Sequence, residues 1–178
     1  MARDRRLAAV VFVVALCAYA ADRLSKALAV RHLEGRPPIT LIPHVLDLSY
    51  TTNSGGAFSL FPDRPWLFFT ASALVCAGIV IAAFRLSSRW VAVGLGLILG
   101  GALGNLTDRV LRGPGVSGHV VDFIHLHLWP VFNVADSCVV VGVFIVVIAG
   151  ILWYIYQSWR NRRAGVETQL MYQMIPPD

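Results

Sequence analysis

Four long runs of apolar residues dominate the chain, and charged or turn-forming residues separate them. The runs cover about residues 7–29, 66–84, 90–106 and 134–156. A helix of roughly 17–25 apolar residues crosses the hydrocarbon core of a bilayer, so each run is long enough to span a membrane. The pattern therefore predicts a mainly α-helical membrane protein with four transmembrane helices.

Two segments between these runs have a different pattern. Residues 37–63 are rich in β-branched and aromatic residues, alternate in part, and contain Pro and Gly, which predicts a small β-sheet. Open strands are unstable in the hydrocarbon core, so the sheet is expected at the membrane surface. Residues 107–131 are predicted to form a loop or short helix on the same side. We expect one integral membrane domain over residues 1–178, with a tail at 157–178.

Glycine recurs every four residues in the third run, at Gly96, Gly100 and Gly104. Small residues at this spacing allow two membrane helices to approach closely. We therefore expect a packing face here rather than a catalytic feature.

The composition agrees with a membrane protein. Of 178 residues, 57% are hydrophobic and only 14% are charged, whereas a soluble domain carries about 25% charged residues.

The net charge of +5 comes from arginines that flank apolar runs, with no basic stripe interleaved with aromatics, so nucleic acid is not an expected partner. Cys17, Cys76 and Cys138 lie singly inside apolar runs, which indicates packing residues rather than disulfides or zinc ligands.

The arginine clusters predict the orientation. Four spans put the N-terminal tail, the loop after the second span and the C-terminal tail on one side. This side carries eight Lys and Arg residues against seven on the other, so the tail clusters weigh more than the total. The positive-inside rule then predicts cytoplasmic termini and an extracytoplasmic β-rich segment.

The first run also has features of a cleavable secretory signal, with arginines before it and Ala18-Tyr-Ala20 within it. A retained helix is the preferred interpretation, because three further spans follow and Asp22 and Lys26 lie in the same helix.

The polar residues of interest gather at the outer ends of the spans and in the outer segments. Ionisable groups are costly in a bilayer and therefore indicate a functional site by default. The set comprises Asp22, Lys26, Asn53, Asn105, Asp108, Arg109, Asp122, Asn133 and Asp136.

Several of these spacings also have simple structural explanations. Asp22 and Lys26 are four residues apart on a helix, so an ion pair is the favoured interpretation. Asn105, Asp108 and Arg109 share one side of a helix turn, where they either support an active site or satisfy the helix end.

Asn133 and Asp136 have the spacing of a helix N-cap and its third residue, and the helix N-terminus favours an ionised acid there. Asp122 has no cap geometry, so an ion pair with Arg109 or Arg112 is its main structural alternative. Two carboxylates that are close enough to share a proton can activate water and protonate a carbonyl, as in aspartic proteases.

Other chemistries are less well supported. His119, His125 and His127 lie near Asp122 in the sequence, which raises the possibility of a metal site, but no HExxH motif is present. No metal or other cofactor is predicted. Ser54 and Ser59 lie near glycines without a GxSxG motif, so a serine nucleophile is not expected.

Five motifs in order resemble the bacterial lipoprotein signal peptidase family, signal peptidase II. They are DRLSK at 22–26, NSGGAF at 53–58, GGALGNLTDR at 100–109, GHVVDFI at 118–124 and FNVADS at 132–137. Together they extend from the first predicted span to the fourth. One departure is the stretch between Arg109 and Gly118, which is several residues longer than the family spacing.

The resemblance implies an aspartyl endopeptidase of the inner membrane, with four helices and a small periplasmic β-cradle. Its substrate would be a prolipoprotein, cut immediately before the cysteine that carries diacylglycerol. Membrane lipids are the other expected partners, and a monomer suffices. The resemblance implies Asp122 and Asp136 as the catalytic pair and Asp22 and Lys26 as a structural pair. It implies a set of substrate-binding or supporting residues, namely Asn53, Gly56, Asn105, Asp108, Arg109 and Asn133.

Two further functions fit a membrane protein with buried carboxylates. A proton-coupled transporter or channel subunit would relay protons through them, but it should carry polar groups at several depths. A non-catalytic scaffold would use the carboxylates only to pair with arginines.

Overall fold

The computed structural model describes residues 2–54 and 65–174, with side chains for residues 5–54 and 66–163. Four described helices are long and apolar enough to cross a membrane, and three strands form one antiparallel sheet in the order β1-β2-β3. This confirms the predicted fold class. In chain order the elements are α1 (Ala2–Leu33), β1 (Ile39–Ile42), β2 (Leu46–Asn53), α2 (Pro65–Ala83), α3 (Arg89–Leu111), β3 (Val120–Leu126) and α4 (Val134–Met174).

Four features differ from the sequence prediction. The first helix was predicted over about residues 7–29 and extends from Ala2 to Leu33, because its polar ends remain helical beyond the apolar run. The third helix was predicted to end near residue 106 but continues to Leu111, because its last polar residues are satisfied inside the protein. The fourth helix continues through most of the predicted tail to Met174. Residues Val120–Leu126, where a loop or short helix was predicted, form a third strand.

Helix α3 lies at the centre of the bundle and packs against α1, α2 and α4. Its glycines make this possible, as predicted. A Cβ atom at Gly96 would lie 2.7 Å from the carbonyl oxygen of Val11, and Gly100 and Gly104 likewise lie against α1. On the opposite side, a Cβ atom at Gly94 would lie 2.8 Å from the carbonyl oxygen of Gly142 in α4.

Apolar side chains cover the outside of the helices. Leu74 and Ile81 of α2 and Val140 and Phe144 of α4 are each about two-thirds exposed. A belt of exposed apolar residues on helices of this length is the surface that contacts lipid tails.

The sheet packs on the end of α1. Val121 and Phe123 of β3 form a small core with Ala29 and Leu33 of α1. After β3 the chain turns back, and Ile124 forms an isolated bridge with Phe132 just before α4 begins. This arrangement places the middle of β3 beside the N-terminus of α4.

Candidate active site

Asp122 lies in the middle of β3, and only 3% of its surface is exposed. Its two carboxylate oxygens accept hydrogen bonds from different asparagines. Asn133 Nδ2 donates to Oδ1 at 2.6 Å, and Asn53 Nδ2 donates to Oδ2 at 3.2 Å. The carboxylate is therefore fixed in position by neutral side chains from β2 and from the start of α4.

Asp136 lies in the first turn of α4 and forms a capping box with Asn133. The Asp136 backbone N–H donates to Asn133 Oδ1 at 3.0 Å, and the Asn133 backbone N–H donates to Asp136 Oδ2 at 3.2 Å. This is the cap geometry expected from the spacing of the two residues. The second oxygen of Asp136, Oδ1, accepts a hydrogen bond from Asn105 Nδ2 at 2.9 Å.

Asn133 connects the two aspartates. Its side chain is fully buried, and besides Asp122 and Asp136 it contacts Asn105, because its Nδ2 also donates to Asn105 Oδ1 at 3.2 Å. Two asparagines thus bridge the carboxylates through one hydrogen-bond network. The network joins Asn105 of α3, Asp122 of β3 and Asp136 of α4. Because these residues are far apart in the sequence, the spacing within any one element does not predict the hydrogen bonds between them.

The surroundings of Asp122 favour its protonated form. Burial is the largest cause, and the negative charge of Asp136 adds to it, so that the pKa of Asp122 is raised to about 6. The hydrogen bonds from Asn133 and Asn53 oppose this rise only in part.

Behind these carboxylates lies a buried cluster of charges. Lys26 Nζ lies 3.0 Å from Asp22 Oδ2, which confirms the predicted ion pair, and 2.9 Å from Asp108 Oδ2. Lys26 also donates to Asn105 Oδ1 at 2.8 Å. The cluster therefore holds the same asparagine that donates to Asp136.

The charge cluster is larger than its sequence pattern indicated. Arg23 and Arg112 also pair with Asp108, and the Val121 backbone N–H donates to Asp108 Oδ2 at 3.3 Å. Asp22 Oδ1 accepts from the backbone N–H of Ala135 at 3.0 Å. Arg23 was not among the predicted site residues, although its position next to Asp22 at the outer end of the first span was a usable signal.

The predicted arginine partners of Asp122 have other contacts. Arg112 Nε lies 3.0 Å from Asp108 Oδ1. Arg109 Nη1 donates to the carbonyl oxygen of Ser54 at 3.4 Å, and its charge acts on both Asp122 and Asp136. Arg109 thus brings a positive charge to the carboxylates and contacts the chain where β2 ends.

Two further predictions concern residues near this site. Gly56 lies outside the described residues. Among the described residues, His125 and His127 lie beside Asp47 rather than Asp122, and His119 is exposed. A metal site that combines Asp122 with these histidines is therefore not formed among the described residues.

Comparison with known proteins decides the family. A family model described as signal peptidase (SPase) II matches residues 14–162. The chain belongs to the signal peptidase II family. It is accordingly a membrane protease, and with four apolar helices it fits a multi-pass bacterial membrane protein.

Relatives named lipoprotein signal peptidase agree over most of the chain. The protein from Rhodococcus jostii is 47% identical over 146 residues, which cover 82% of this chain and 73% of that protein. The protein from Mycolicibacterium smegmatis is 39% identical over 169 residues, covering 94% and 72%. The protein from Mycobacterium tuberculosis strain H37Rv is 40% identical over 156 residues, covering 85% and 75%.

Two solved structures of bacterial membrane enzymes have a similar fold. A bacterial membrane enzyme structure determined at 2.3 Å has a TM-score of 0.71 and 27% identity, covering 79% of this chain and 87% of that one. A second, at 1.9 Å, has a TM-score of 0.67 and 28% identity, covering 78% and 90%.

Proposed function

We propose that this protein is an aspartic endopeptidase that cleaves diacylglyceryl-modified prolipoproteins immediately before the lipidated cysteine. Membership of the family supports cleavage of lipoprotein signal peptides. The observation that carries the aspartic mechanism is the asparagine-bridged pair of Asp122 and Asp136.

The two aspartates have different environments, which suits them to different roles. Asp122 is buried, and its raised pKa favours the protonated form that donates to the oxygen of the scissile carbonyl. Asp136 lies in the first turn of α4, where Asn105 and the Asn133 backbone N–H donate to its carboxylate oxygens. In its anionic form Asp136 would take a proton from water, and the resulting hydroxide would attack the carbonyl carbon.

The second half of the reaction returns the protons. Collapse of the tetrahedral intermediate breaks the C–N bond, and the proton on Asp136 passes to the leaving amine. The carbonyl oxygen returns its proton to Asp122, so the pair regains its starting state without a covalent enzyme intermediate. This pairing of one acid with one base follows from environments that separate two carboxylates.

The supporting residues would keep this geometry and bind the substrate. Asn53, Asn105 and Asn133 hold the carboxylate oxygens. Arg109, beside the carbonyl oxygen of Ser54, would link the site to the segment 53–58, which includes Gly56 and would contact the peptide. Asp108 and the Asp22–Lys26 pair support the site from behind.

The proposal includes a single domain over residues 1–178 that acts as a monomer in the bacterial inner membrane. Both termini would lie in the cytoplasm and the active site near the extracytoplasmic face. In support, the polar network and the sheet occupy one end of the helices, and the arginine clusters of the two tails are predicted to lie at the other end. The scissile bond of a membrane-anchored substrate would meet the site at that surface.

Cleavage of a diacylglyceryl-modified prolipoprotein by the purified protein in detergent tests the proposal, with the product read as a gel shift. Wild type should cleave, and Asp122→Asn and Asp136→Asn should each lose at least about 1,000-fold in rate, since general acid or base catalysis alone contributes roughly 100- to 10,000-fold. Unlipidated substrate should not be cut.

Glu34→Gln is the matched control, because it makes the same chemical change at an exposed carboxylate outside the site, and it should keep full activity. Cleavage by either folded aspartate variant at a rate near that of wild type would disprove the aspartic mechanism. A folded wild type that cleaves no lipidated substrate would disprove the substrate assignment.

A further inference from the structure

Three side chains of metal-ligating type meet on the sheet, apart from the proposed catalytic pair. They are Asp47 of β2, His125 of β3 and His127, which lies in the turn just after β3, and their ligand atoms all lie within 4.8 Å of one another. Asp47 is the direct cross-strand partner of His125, and directly opposite residues on neighbouring strands have side chains on the same face of the sheet.

The contacts within this cluster show that the three side chains converge. His127 Nε2 lies 2.7 Å from Asp47 Oδ2, and the ring centroids of His125 and His127 are 5.0 Å apart. Thr40, the cross-strand neighbour of Asp47 on β1, also approaches this carboxylate, but the second oxygen, Asp47 Oδ1, is buried and forms no hydrogen bond of good geometry among the described residues. A buried carboxylate oxygen without a partner is costly, and a cation bound by the carboxylate would offset that cost.

We propose that Asp47, His125 and His127 form a binding site for a divalent transition-metal ion, with zinc the best match. Two imidazole nitrogens and one carboxylate oxygen form a donor set that zinc binds at about 2.0–2.2 Å in tetrahedral geometry. Ligand atoms of such a site lie about 3.3 Å apart, so the ligand atoms of this cluster would approach one another by up to about 1.5 Å. Water would occupy the fourth position.

The exposure of the site allows a metal ion to enter. The side chain of His127 is 36% exposed and that of Asp47 is 15% exposed, so an ion and its water can reach the three side chains from the surface.

The bound ion would clamp β2 to β3, the strands that carry Asn53 and Asp122. It would not take part in peptide cleavage. His125 is three residues beyond Asp122 along β3, which is roughly 10 Å at 3.3 Å per residue. The site is thus structural, and its existence does not depend on the proposed catalytic mechanism.

Metal content and stability provide the first test. The full-length protein, purified in detergent without a polyhistidine tag, is stripped with a chelator and titrated with zinc chloride alone. We expect one equivalent of zinc retained after gel filtration, measured by mass spectrometry, and a higher Tm. Retention of less than about 0.2 equivalents, or a Tm that zinc does not change, would disprove the site.

Variants separate this site from incidental binding. His127→Ala and Asp47→Asn should each lower zinc affinity by more than tenfold, whereas His119→Ala, which removes an exposed histidine outside the cluster, should bind like wild type. Far-UV circular dichroism without metal shows whether each variant folds. If His127→Ala does not fold, Asp47→Asn decides, since it keeps the size of the side chain.

Cobalt substitution tests the geometry directly. Cobalt(II) in a tetrahedral site with nitrogen and oxygen ligands absorbs visible light strongly, and loosely bound cobalt does not. We expect this absorption in wild type and His119→Ala and its loss in the cluster variants. Equal spectra or equal zinc retention in all four proteins would show adventitious binding and overturn the proposal.

Discussion

Replacement of Lys26 by methionine tests whether the buried charge cluster holds the fold together. Lys26 is the only lysine in the chain, and it is fully buried. It contacts Asp22 at 3.0 Å and Asp108 at 2.9 Å and donates to Asn105 at 2.8 Å. Methionine fills a similar volume, so the substitution removes the charge and the hydrogen bonds while it leaves little cavity.

The expected loss follows from the partners that remain. Asp108 keeps Arg23 and Arg112, but Asp22 keeps only the backbone N–H of Ala135 among its described hydrogen-bond donors. Breaking a buried ion pair by removal of one partner costs about 3–5 kcal/mol, because the other charge stays buried and uncompensated. We expect Lys26→Met to lower the free energy of unfolding by that amount.

A second substitution isolates the cause. Asp22→Asn removes the charge that Lys26→Met leaves unpaired, so the double variant should be at least about 2 kcal/mol more stable than Lys26→Met alone. Equilibrium unfolding of the purified proteins by SDS in mixed micelles, followed by far-UV circular dichroism, measures both differences. Arg31→Met is the matched control, since it removes an exposed cation from the same helix and should change stability by less than about 0.5 kcal/mol.

Two results would contradict the reasoning. A loss below about 1 kcal/mol for Lys26→Met would mean that the cluster is hydrated or that its charges are compensated elsewhere. A double variant no more stable than Lys26→Met would mean that the lost packing or hydrogen bonds, and not the unpaired charge of Asp22, cause the destabilisation.

Two further predictions concern pH and packing. The pKa of Asp122 rises from 3.8 to about 6, so folding favours its protonated form, and its contribution to stability is lost as the pH rises from about 3 to 7. The stability advantage of Asp122→Asn over wild type should grow by roughly 3 kcal/mol across that window, and parallel pH–stability curves would contradict this. A Cβ atom at Gly104 would clash with the carboxylate of Asp22, so Gly104→Ala should lower the free energy of unfolding by about 1–3 kcal/mol. Gly78→Ala is the control, because its Cβ atom would meet nothing within 4 Å, and it should be neutral or stabilising. Equal effects of the two substitutions in SDS unfolding would refute the clash.

Features that depend on local spacing were predictable from the sequence. The four helices follow from run length and apolarity, and the Asp22–Lys26 pair and the Asn133–Asp136 cap follow from helix periodicity. The close approach of α1 to α3 follows from glycines at four-residue intervals. In each case residues within one helix carry the information.

Features that depend on contacts between distant segments were not predictable from the sequence. Strand β3 was missed because its first four residues, Val120 to Phe123, are all buried, and a strand buried on both faces shows no alternation. The third apolar run ends near residue 106, and a helix turn was expected only as far as Asp108 and Arg109. The helix continues to Leu111, and Asp108 is neutralised within it by cations from α1 and from Arg112.

The arrangement of charge around the proposed catalytic pair has a physical logic. The residues that touch its carboxylate oxygens are asparagines, which donate hydrogen bonds without fixing the protonation state of either acid. Full charges lie one layer behind, where Lys26, Arg23 and Arg112 face Asp22 and Asp108 with one positive charge in excess. The charge of Lys26 in this layer opposes in part the rise in the pKa of Asp122 that burial causes. A direct ion pair would have lowered that pKa much further and removed the proton that the proposed acid must donate.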